Sequence, residues 1–204
     1  MNELKNKLLV GVTGGIGTGK SEVCRKLEKK GFKVFYADPV AKELYIKNKK
    51  LAESVIKEFG KDILNFKGKI NLAKLRKVIF QSKKNFKRIN EIVHPVVIDY
   101  IMKEAKKCKE NIILIEGALI FESLFDEQLD YIVMVFANKE NRIKRIMQRD
   151  GARRAEVENI MRYQIDERIK VKNADFVIKN NDSISKLNPQ INFLSRVLKT
   201  LKKS

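Results

Sequence analysis

The sequence predicts an α/β protein built on a doubly wound, mostly parallel five-stranded sheet. Five short runs are apolar along their length instead of alternating, which is typical of strands buried on both faces. Helical patterns separate these runs, and alternation of buried strands with helices is typical of doubly wound folds. The predicted strands are 7–13, 33–37, 111–116, 131–136 and 175–179.

Apolar residues at helical spacing fill the intervals between the predicted strands. Within 22–30 they share one face, as a helix packed on a sheet requires. Near the C-terminus they recur every three or four positions from 184 to 201, where Pro189 is expected to kink the helix or delay its start. Further helical patterns cover 44–59, 72–80, 89–102 and much of 139–172.

The second and third predicted strands are separated by more than 70 residues, far more than one crossover helix needs. Open α/β folds bind ligands at the carboxyl edge of the sheet, where an insertion at this point would lie. We therefore predict a single domain over 1–204. Its parts are a sheet core of 6–38, 110–138 and 172–204, a helical insertion at 39–109 and a second helical insertion at 139–171.

Positive charge is concentrated in the two insertions. The chain has 44 basic and 25 acidic residues, a net charge of +19. Residues 39–109 hold 19 basic and 7 acidic side chains and residues 139–171 hold 10 and 6, whereas 110–138 hold six acids and no base. Such a field favours nucleic acid, an anionic membrane surface or a phosphorylated small molecule as partner. A general preference for lysine at solvated positions would also explain the bulk excess.

Several classes of protein are excluded by composition. Two cysteines and one histidine are too few for a disulfide framework or a zinc site. No run reaches the roughly 18 apolar residues that a membrane span needs. Residues 1–7 lack the apolar core of a signal peptide. We expect a reduced, soluble, cytoplasmic protein without a membrane partner.

Residues 14–21, Gly-Gly-Ile-Gly-Thr-Gly-Lys-Ser, match the phosphate-loop pattern GxxxxGK[ST] in full. The match follows a predicted strand and precedes a predicted helix, as this loop requires. The glycines allow the backbone to aim N–H groups at phosphate oxygens, and the helix N-terminus adds partial positive charge. Lys20 would contact the β- and γ-phosphates and Ser21 would bind Mg²⁺. The sequence therefore predicts a site for a nucleoside triphosphate with Mg²⁺.

The other motifs of the sequence, its size and its two insertions indicate which class of phosphate-loop protein this is. The sequence has no NKxD-type guanine signature, and no strand ends in the Asp-Glu pair of a nucleic-acid motor; Glu116 and Asp130 are the nearest candidates. The size and the two insertions suit a small-metabolite kinase. In such a kinase 39–109 would hold the acceptor, and 139–171 would close as a lid and exclude water.

Asp38 and His94 each allow two interpretations. Asp38 is expected to end the second strand, where a carboxylate could deprotonate an acceptor hydroxyl or hold a Mg²⁺-bound water. It could equally begin a turn before Pro39. His94, which precedes Pro95, is either a structural residue at a proline bend or a residue of the acceptor site.

Seven of the arginines lie between 142 and 168. Arg142, Arg145 and Arg149 are spaced to share one helix face. Planar guanidinium groups suit phosphate oxygens and can stabilise a transferring phosphoryl group. A solvated helix face paired with neighbouring carboxylates is the alternative interpretation.

In their order along the chain, these motifs resemble those of the dephospho-coenzyme A kinase family. Residues 12–21 closely resemble the family's LTGGIGSGKS, and Ala37-Asp38 with Ala41 and Leu44 is similar to its D-A-D-x-x-A-x-x-L. The remaining likenesses are His94-Pro95 to its HP element, Leu119-Ile120-Phe121-Glu122 to PLLFE, 145–150 to R-x-x-x-R-D, Gln164 and Arg168 to its glutamine-to-arginine element, and 174–180 to ADxVIxN.

The resemblance implies transfer of the ATP γ-phosphate to the ribose 3′-hydroxyl of dephospho-coenzyme A, giving coenzyme A and ADP, with Mg²⁺ as cofactor. It implies Asp38, Lys20 and Arg149 as catalytic residues and Ser21 as the Mg²⁺ ligand. Its ATP-binding residues are Gly14, Gly15, Ile16, Gly17, Thr18, Gly19, Lys20, Ser21, Glu22, Arg145 and Asn180. Its acceptor-binding residues are Asp38, His94, Leu119, Phe121, Glu122, Gln164 and Arg168.

Three positions depart from the family pattern. Tyr36 replaces the first Asp of D-A-D, which removes one carboxylate from the possible Mg²⁺ shell. Glu116 and Ala118 stand where the family usually has Asp and Pro, and Glu22 replaces the usual Thr. Another small-metabolite or nucleotide kinase and a non-catalytic nucleic-acid-binding protein are the alternatives. We expect a monomer with no nucleic-acid partner.

Overall fold

The computed structural model describes residue 4, residues 6–181 and residues 184–201, and its chain separates into two units after Tyr36 and after Glu104. The core unit is drawn from the chain up to Tyr36 and from Ala105 onward. The inserted unit is Ala37–Glu104, close to the insertion predicted at 39–109.

The sheet of the core unit has five strands, which are β1 (Leu8–Thr13), β2 (Lys33–Tyr36), β3 (Ile112–Glu116), β4 (Tyr131–Phe136) and β5 (Phe176–Lys179). Their order is β2-β3-β1-β4-β5, and every neighbouring pair is parallel. β1 occupies the centre, paired with β3 on one side and β4 on the other. It is buried along its whole length, which explains its unbroken apolar sequence LLVGVT. The prediction of five strands is confirmed, each within a residue of its predicted bounds.

Two helices of the core unit pack with the sheet into its main hydrophobic core. These are α1 (Lys20–Glu28), whose Val23, Cys24 and Leu27 are fully buried, and the C-terminal α9 (Ile184–Thr200). Pro189 lies inside α9 and does not mark its start. Because the strand order changes direction at β1, the loop between β1 and α1 lies at the switch point where such folds bind ligands.

The second predicted insertion folds as three helices of the core unit. α6 (Lys139–Asp150) and α7 (Arg154–Met161) share a small apolar cluster formed by Ile143, Ile146 and Val157. α8 (Glu167–Lys172) packs against β4. Both ends of the segment are therefore attached to the core.

The inserted unit is helical, as predicted, but its first helical pattern is two helices. Asn48 separates α2 (Ala37–Lys47) from α3 (Lys49–Phe59), since its side chain accepts a hydrogen bond from the N–H of Leu51 and so caps α3. The prediction of one helix over 44–59 was wrong because apolar spacing alone does not register a cap. The remaining helices are α4 (Leu72–Ile79) and α5 (Lys83–Lys107), which continues into the core unit.

The structure corrects the predicted position of Asp38 before Pro39 and agrees with the helix predicted around Pro95. β2 ends at Tyr36 and α2 begins at the next residue, so Asp38 lies in the first turn of a helix, not at a strand end or in a free turn. Pro39 is tolerated there because the first N–H groups of a helix have no intrahelical acceptor. Pro95 lies inside the long helix α5, so His94 is a helical residue, in agreement with the helical pattern predicted at 89–102.

Among the described residues, no helix combines the length and apolar character needed to cross a bilayer.

Candidate active site

The loop between β1 and α1 turns on its glycines. Gly14, Gly17 and Gly19 have φ values of 147°, 81° and 92°, a region that L side chains rarely adopt. A Cβ atom on Gly19 would lie 2.3 Å from Nδ2 of Asn180. The loop therefore needs glycine at these positions for both backbone conformation and space.

Side chains from distant elements hold three successive carbonyls of this loop. Nε of Arg142 donates to the carbonyl of Ile16 at 2.8 Å. Nη1 of Arg145 contacts the next carbonyl at 3.5 Å, and its Nη2 donates to the carbonyl of Asn180 at 2.8 Å. Nδ2 of Asn180 donates to the carbonyl of Thr18, also at 2.8 Å. The predicted ATP-binding residues Arg145 and Asn180 thus contact the phosphate loop itself.

The N–H groups of Gly17, Gly19, Lys20 and Ser21 have no hydrogen-bond acceptor among the described residues. In a planar trans peptide the N–H points away from the C=O. Holding the carbonyls of residues 16 and 18 therefore turns the N–H groups of residues 17 and 19 to the other side. Together with the N-terminus of α1, these donors form a cradle for an anion.

Lys20 places a buried ammonium group beside this cradle. Its Nζ donates to the carbonyl of Gly15 at 3.3 Å and lies 3.7 Å from Oε1 of Glu116, the last residue of β3. Both side chains are about nine-tenths buried. In such surroundings the attraction between the ammonium group and a bound phosphate is weakly screened.

Ser21 and Glu116 offer the oxygen ligands that Mg²⁺ prefers. Ser21 lies in the first turn of α1, and Glu116 lies against Lys20, the residue before Ser21. No group of three or more His, Cys, Asp or Glu side chains in the described part of the chain could hold a metal alone. The donor set therefore fits an ion that shares its ligands with phosphates and water, as Mg²⁺ usually does.

Glu22 and Tyr36, two positions that depart from the family pattern, are bound to other side chains. The N–H of Glu22 donates to the carbonyl of Gly19, and its carboxylate pairs with Arg25, which lowers the pKa of Glu22. The hydroxyl of Tyr36 donates to Oε2 of Glu28 at 2.7 Å. Burial, followed by this hydrogen bond, raises the pKa of Tyr36. Tyr36 thus contacts α1 at the position where the family has a carboxylate.

Arg149 and Arg168, both predicted site residues, are exposed. Arg149 binds both carboxylate oxygens of Asp150, at 2.7 and 2.8 Å, and this hydrogen bonding raises the pKa of Arg149. Arg168 binds Asp166 in the same way and lowers the pKa of that carboxyl group to about 2. The structure does not bring either arginine to the phosphate loop.

Glu122 and Gln164, predicted to bind the acceptor, each make contacts within the chain. Oε1 of Glu122 lies 2.7 Å from Nζ of the fully buried Lys170 and accepts the N–H of Ile165 at 2.9 Å. Oε1 of Gln164 accepts the N–H of Ile16 at 2.9 Å. Leu119 and Phe121, which precede Glu122, are both half-buried.

Asp38 and His94 belong to the inserted unit. Asp38 is exposed in the first turn of α2, and His94 is half-buried on α5. Burial lowers the pKa of His94 to about 4, although the Asp38 carboxylate opposes that shift. Burial also raises the pKa of the nearby Tyr45, with Asp38 contributing, to about 12. The carboxylate of Asp38 thus has a neutral imidazole and a neutral phenol in its surroundings at pH 7.

Sequence reasoning missed three residues that contact the phosphate loop. Glu116 lacks the second carboxylate of a motor signature, yet its place at the end of a buried strand was a usable signal. Glu167, whose Oε1 accepts the N–H of Gly15 at 2.9 Å, belongs to no motif. Arg142 was placed on an arginine face but not assigned to the loop.

Comparisons with known proteins agree with this geometry. A protein-family model for dephospho-CoA kinase matches residues 8–186. A dephospho-CoA kinase from Fusobacterium nucleatum is 37% identical over 180 residues, covering 88% of this chain and 93% of that protein. A solved dephospho-CoA kinase from Campylobacter jejuni is 29% identical with a TM-score of 0.65, covering 94% of this chain and 97% of its own. A Thermus thermophilus crystal structure, TT1252, is 28% identical with a TM-score of 0.80, covering 97% and 99%.

Proposed function

Because this chain belongs to the dephospho-coenzyme A kinase family, which phosphorylates dephospho-coenzyme A in the last step of coenzyme A synthesis, we propose residue by residue how it does so. The chain is an ATP-dependent phosphotransferase with a phosphate loop. The proposal concerns which groups hold ATP, which group receives the hydroxyl proton and which residues hold Mg²⁺.

The observation that carries the proposal is the set of N–H groups that have no acceptor in the described part of the chain and lie beside the buried Lys20. Phosphate oxygens accept hydrogen bonds from such donors, and the N-terminus of α1 favours their charge. Lys20 then exchanges its contact with Glu116 for the β- and γ-phosphates. These interactions strengthen as charge develops on the transferring group, which is how they lower the barrier.

Asp38 is proposed as the group that receives the proton of the ribose 3′-hydroxyl. The 3′-oxygen forms a bond to the γ-phosphorus, the bond from that phosphorus to the β–γ bridging oxygen breaks, and ADP leaves. The proton passes to a carboxylate oxygen of Asp38. The exposure of Asp38 and the neutral state of His94 support this role, since both leave the carboxylate available to a hydroxyl.

Ser21 and Glu116 are proposed to hold Mg²⁺, Ser21 through its hydroxyl and Glu116 through bound water. When bound, the ion neutralises phosphate charge. Glu116 would thereby supply the carboxylate that Tyr36 does not.

Arg149 is proposed as the arginine that stabilises the transferring phosphoryl group. Its guanidinium is about two-thirds exposed and is bound to the neighbouring Asp150, so an incoming phosphate can replace that carboxylate at small cost. His94, Leu119, Phe121 and Arg168 are proposed to contact the acceptor, Arg168 through its pyrophosphate. We further propose that the chain acts as a cytoplasmic monomer without a nucleic-acid partner.

Calorimetric titration with ATP and Mg²⁺ tests the role of the loop. Lys20→Ala is expected to weaken ATP binding and abolish turnover, because the removed cation is expected to contribute several kcal/mol to the transition state. Lys29→Ala, an exposed position at the end of α1, is the matched control. Near-normal turnover in folded Lys20→Ala protein would remove the loop from the mechanism.

A further inference from the structure

Three side chains from the second insertion hold the first three peptide groups of the phosphate loop. Oε1 of Glu167 accepts the N–H of Gly15 at 2.9 Å, and Oε1 of Gln164 accepts the N–H of Ile16 at 2.9 Å. Nε of Arg142 donates to the carbonyl of Ile16 at 2.8 Å. These bonds leave the N–H groups of residues 17, 19, 20 and 21 untouched, so they do not compete for the donors of the anion cradle.

Arg142 and Glu167 are also paired with each other. Nη1 of Arg142 lies 3.0 Å from Oε1 of Glu167, and their side chains are 6% and 16% exposed. Burial lowers the pKa of Arg142 and raises that of Glu167. Oε2 of Glu167 is buried without a hydrogen-bond partner among the described residues. A buried ion pair with an unsatisfied oxygen contributes little net stability, so position is the better explanation of its presence.

The pair of Arg142 and Glu167 also limits the size of the residue at position 15 of the loop. A Cβ atom on Gly15 would lie 2.1 Å from Nη2 of Arg142 and 2.3 Å from Oε1 of Glu167. The two side chains thus occupy the space that any larger residue at position 15 would need. At least one of the two side chains would have to move to admit a larger residue.

The segment that carries Gln164 and Glu167 is itself anchored. Nζ of Lys170 donates to the carbonyl of Ala118 at 2.9 Å and pairs with Glu122, and Glu122 in turn accepts the N–H of Ile165. Residues 164–170 are therefore fixed to the chain that follows β3. Arg142 approaches the loop from the first turn of α6, at the other end of the second insertion.

We propose that Arg142, Gln164 and Glu167 form a positioning clamp that orients the phosphate loop for ATP. Because Arg142 binds the carbonyl of Ile16, the planar peptide turns the N–H of Gly17 away from Arg142 and into the cradle. Arg142 also neutralises Glu167, whose uncompensated charge would repel the triphosphate. The clamp rests on the proposed function of the loop, and its residues are positioning residues that act on ATP through the loop.

Arg142→Lys separates positioning from simple stability. Lysine keeps the charge opposite Glu167 but lacks the fork that serves Glu167 and the carbonyl of Ile16 together. Calorimetric titration is expected to show ATP binding weakened about tenfold, the loss of one charge-assisted hydrogen bond. The KM for dephospho-coenzyme A should stay unchanged. Gln164→Met, which removes only the acceptor for the N–H of Ile16, should weaken ATP binding several-fold.

Lys7→Met is the matched control, because Lys7 is a buried cation that donates to the carbonyls of Cys108 and Glu110 at the opposite end of β1. It should lower the melting temperature yet change ATP affinity by no more than about twofold. The clamp is overturned if folded Arg142→Lys binds ATP as tightly as Lys7→Met does. If Arg142→Lys does not fold, folded Gln164→Met is compared with Lys7→Met in the same way. If the unaltered chain binds no ATP, the proposed function fails together with the clamp.

Discussion

At the scale of single residues, the structure separates chemistry from support more finely than the motifs do. Lys20 and Ser21 lie where the loop pattern predicts, whereas Gln164 and Glu122 form internal contacts. A motif shows that a residue type is needed at a position. It does not show whether that side chain touches the substrate or holds another residue in place, because both roles require the same residue type at that position.

Asp38 is the residue whose proposed role is most open to a direct test. Asp38→Asn keeps the shape of the side chain but cannot accept the ribose proton, so turnover should fall by roughly 10² to 10⁴. ATP binding should stay within a few-fold, since the loop donors remain. Turnover is measured across a Mg²⁺ titration with folding checked by calorimetry. Recovery of rate at high Mg²⁺ would show that Asp38 organises the metal, and unchanged turnover would show that it only begins α2.

His94 predicts a pH dependence of stability. The pKa of His94 is 6.5 in the unfolded chain and about 4 in the folded one, so the unfolded state binds the proton first as pH falls. The contribution of His94 to the free energy of unfolding should therefore have its full value above pH 6.5 and should decline as the pH falls toward 4. Urea unfolding at pH 7.5 and pH 5 should show a smaller decline in His94→Gln. An equal decline in both proteins would contradict the burial of His94.

At the scale of elements, the sequence predicted the features that depend on one local segment of the chain. All five strands were predicted from short apolar runs, although the edge strands β2 and β5 are only partly buried. The glycine pattern of the phosphate loop was complete. The break at Asn48 was missed because one capping side chain outweighs a continuous apolar pattern. Contacts such as the one between Gly15 and Glu167, 152 residues apart, were beyond reach, since no local pattern records which distant residue meets a loop.

The phosphate loop gives the clearest prediction at this scale. Gly15→Ala introduces a Cβ atom into the space of Arg142 and Glu167, so one of them must move and the loop with it. ATP affinity, measured by calorimetric titration, should fall by at least about tenfold.

Gly31→Ala is the control for that substitution. Gly31 has a φ of +90° and open space around its missing Cβ, so its replacement costs stability of about 1 kcal/mol without reaching the loop. Equal ATP affinity in the two variants would mean that the space around Gly15 has no bearing on nucleotide binding.

At the scale of the whole molecule, the positive charge is distributed unevenly along the chain. The predicted sheet core is nearly neutral, and the basic excess lies in 39–109 and 139–171. Family membership gives this distribution a physical reason, because ATP and dephospho-coenzyme A both carry pyrophosphate groups that such a field attracts. The sequence could predict this sorting because charge counts need no knowledge of contacts. It could not predict that Arg142 is buried, since the local sequence pattern does not distinguish a buried arginine from a solvated one.

The central claim is that the chain transfers the γ-phosphate of ATP to dephospho-coenzyme A, and product analysis tests it most directly. The purified chain is incubated with ATP, Mg²⁺ and dephospho-coenzyme A, with shikimate and a nucleoside monophosphate as alternative acceptors. ADP is followed by a coupled assay and the product by mass and phosphorus resonance. We predict ADP and coenzyme A in equal amounts, with the new phosphate on the 3′-oxygen. ADP release no faster than with ATP alone, or faster with another acceptor, would contradict the account.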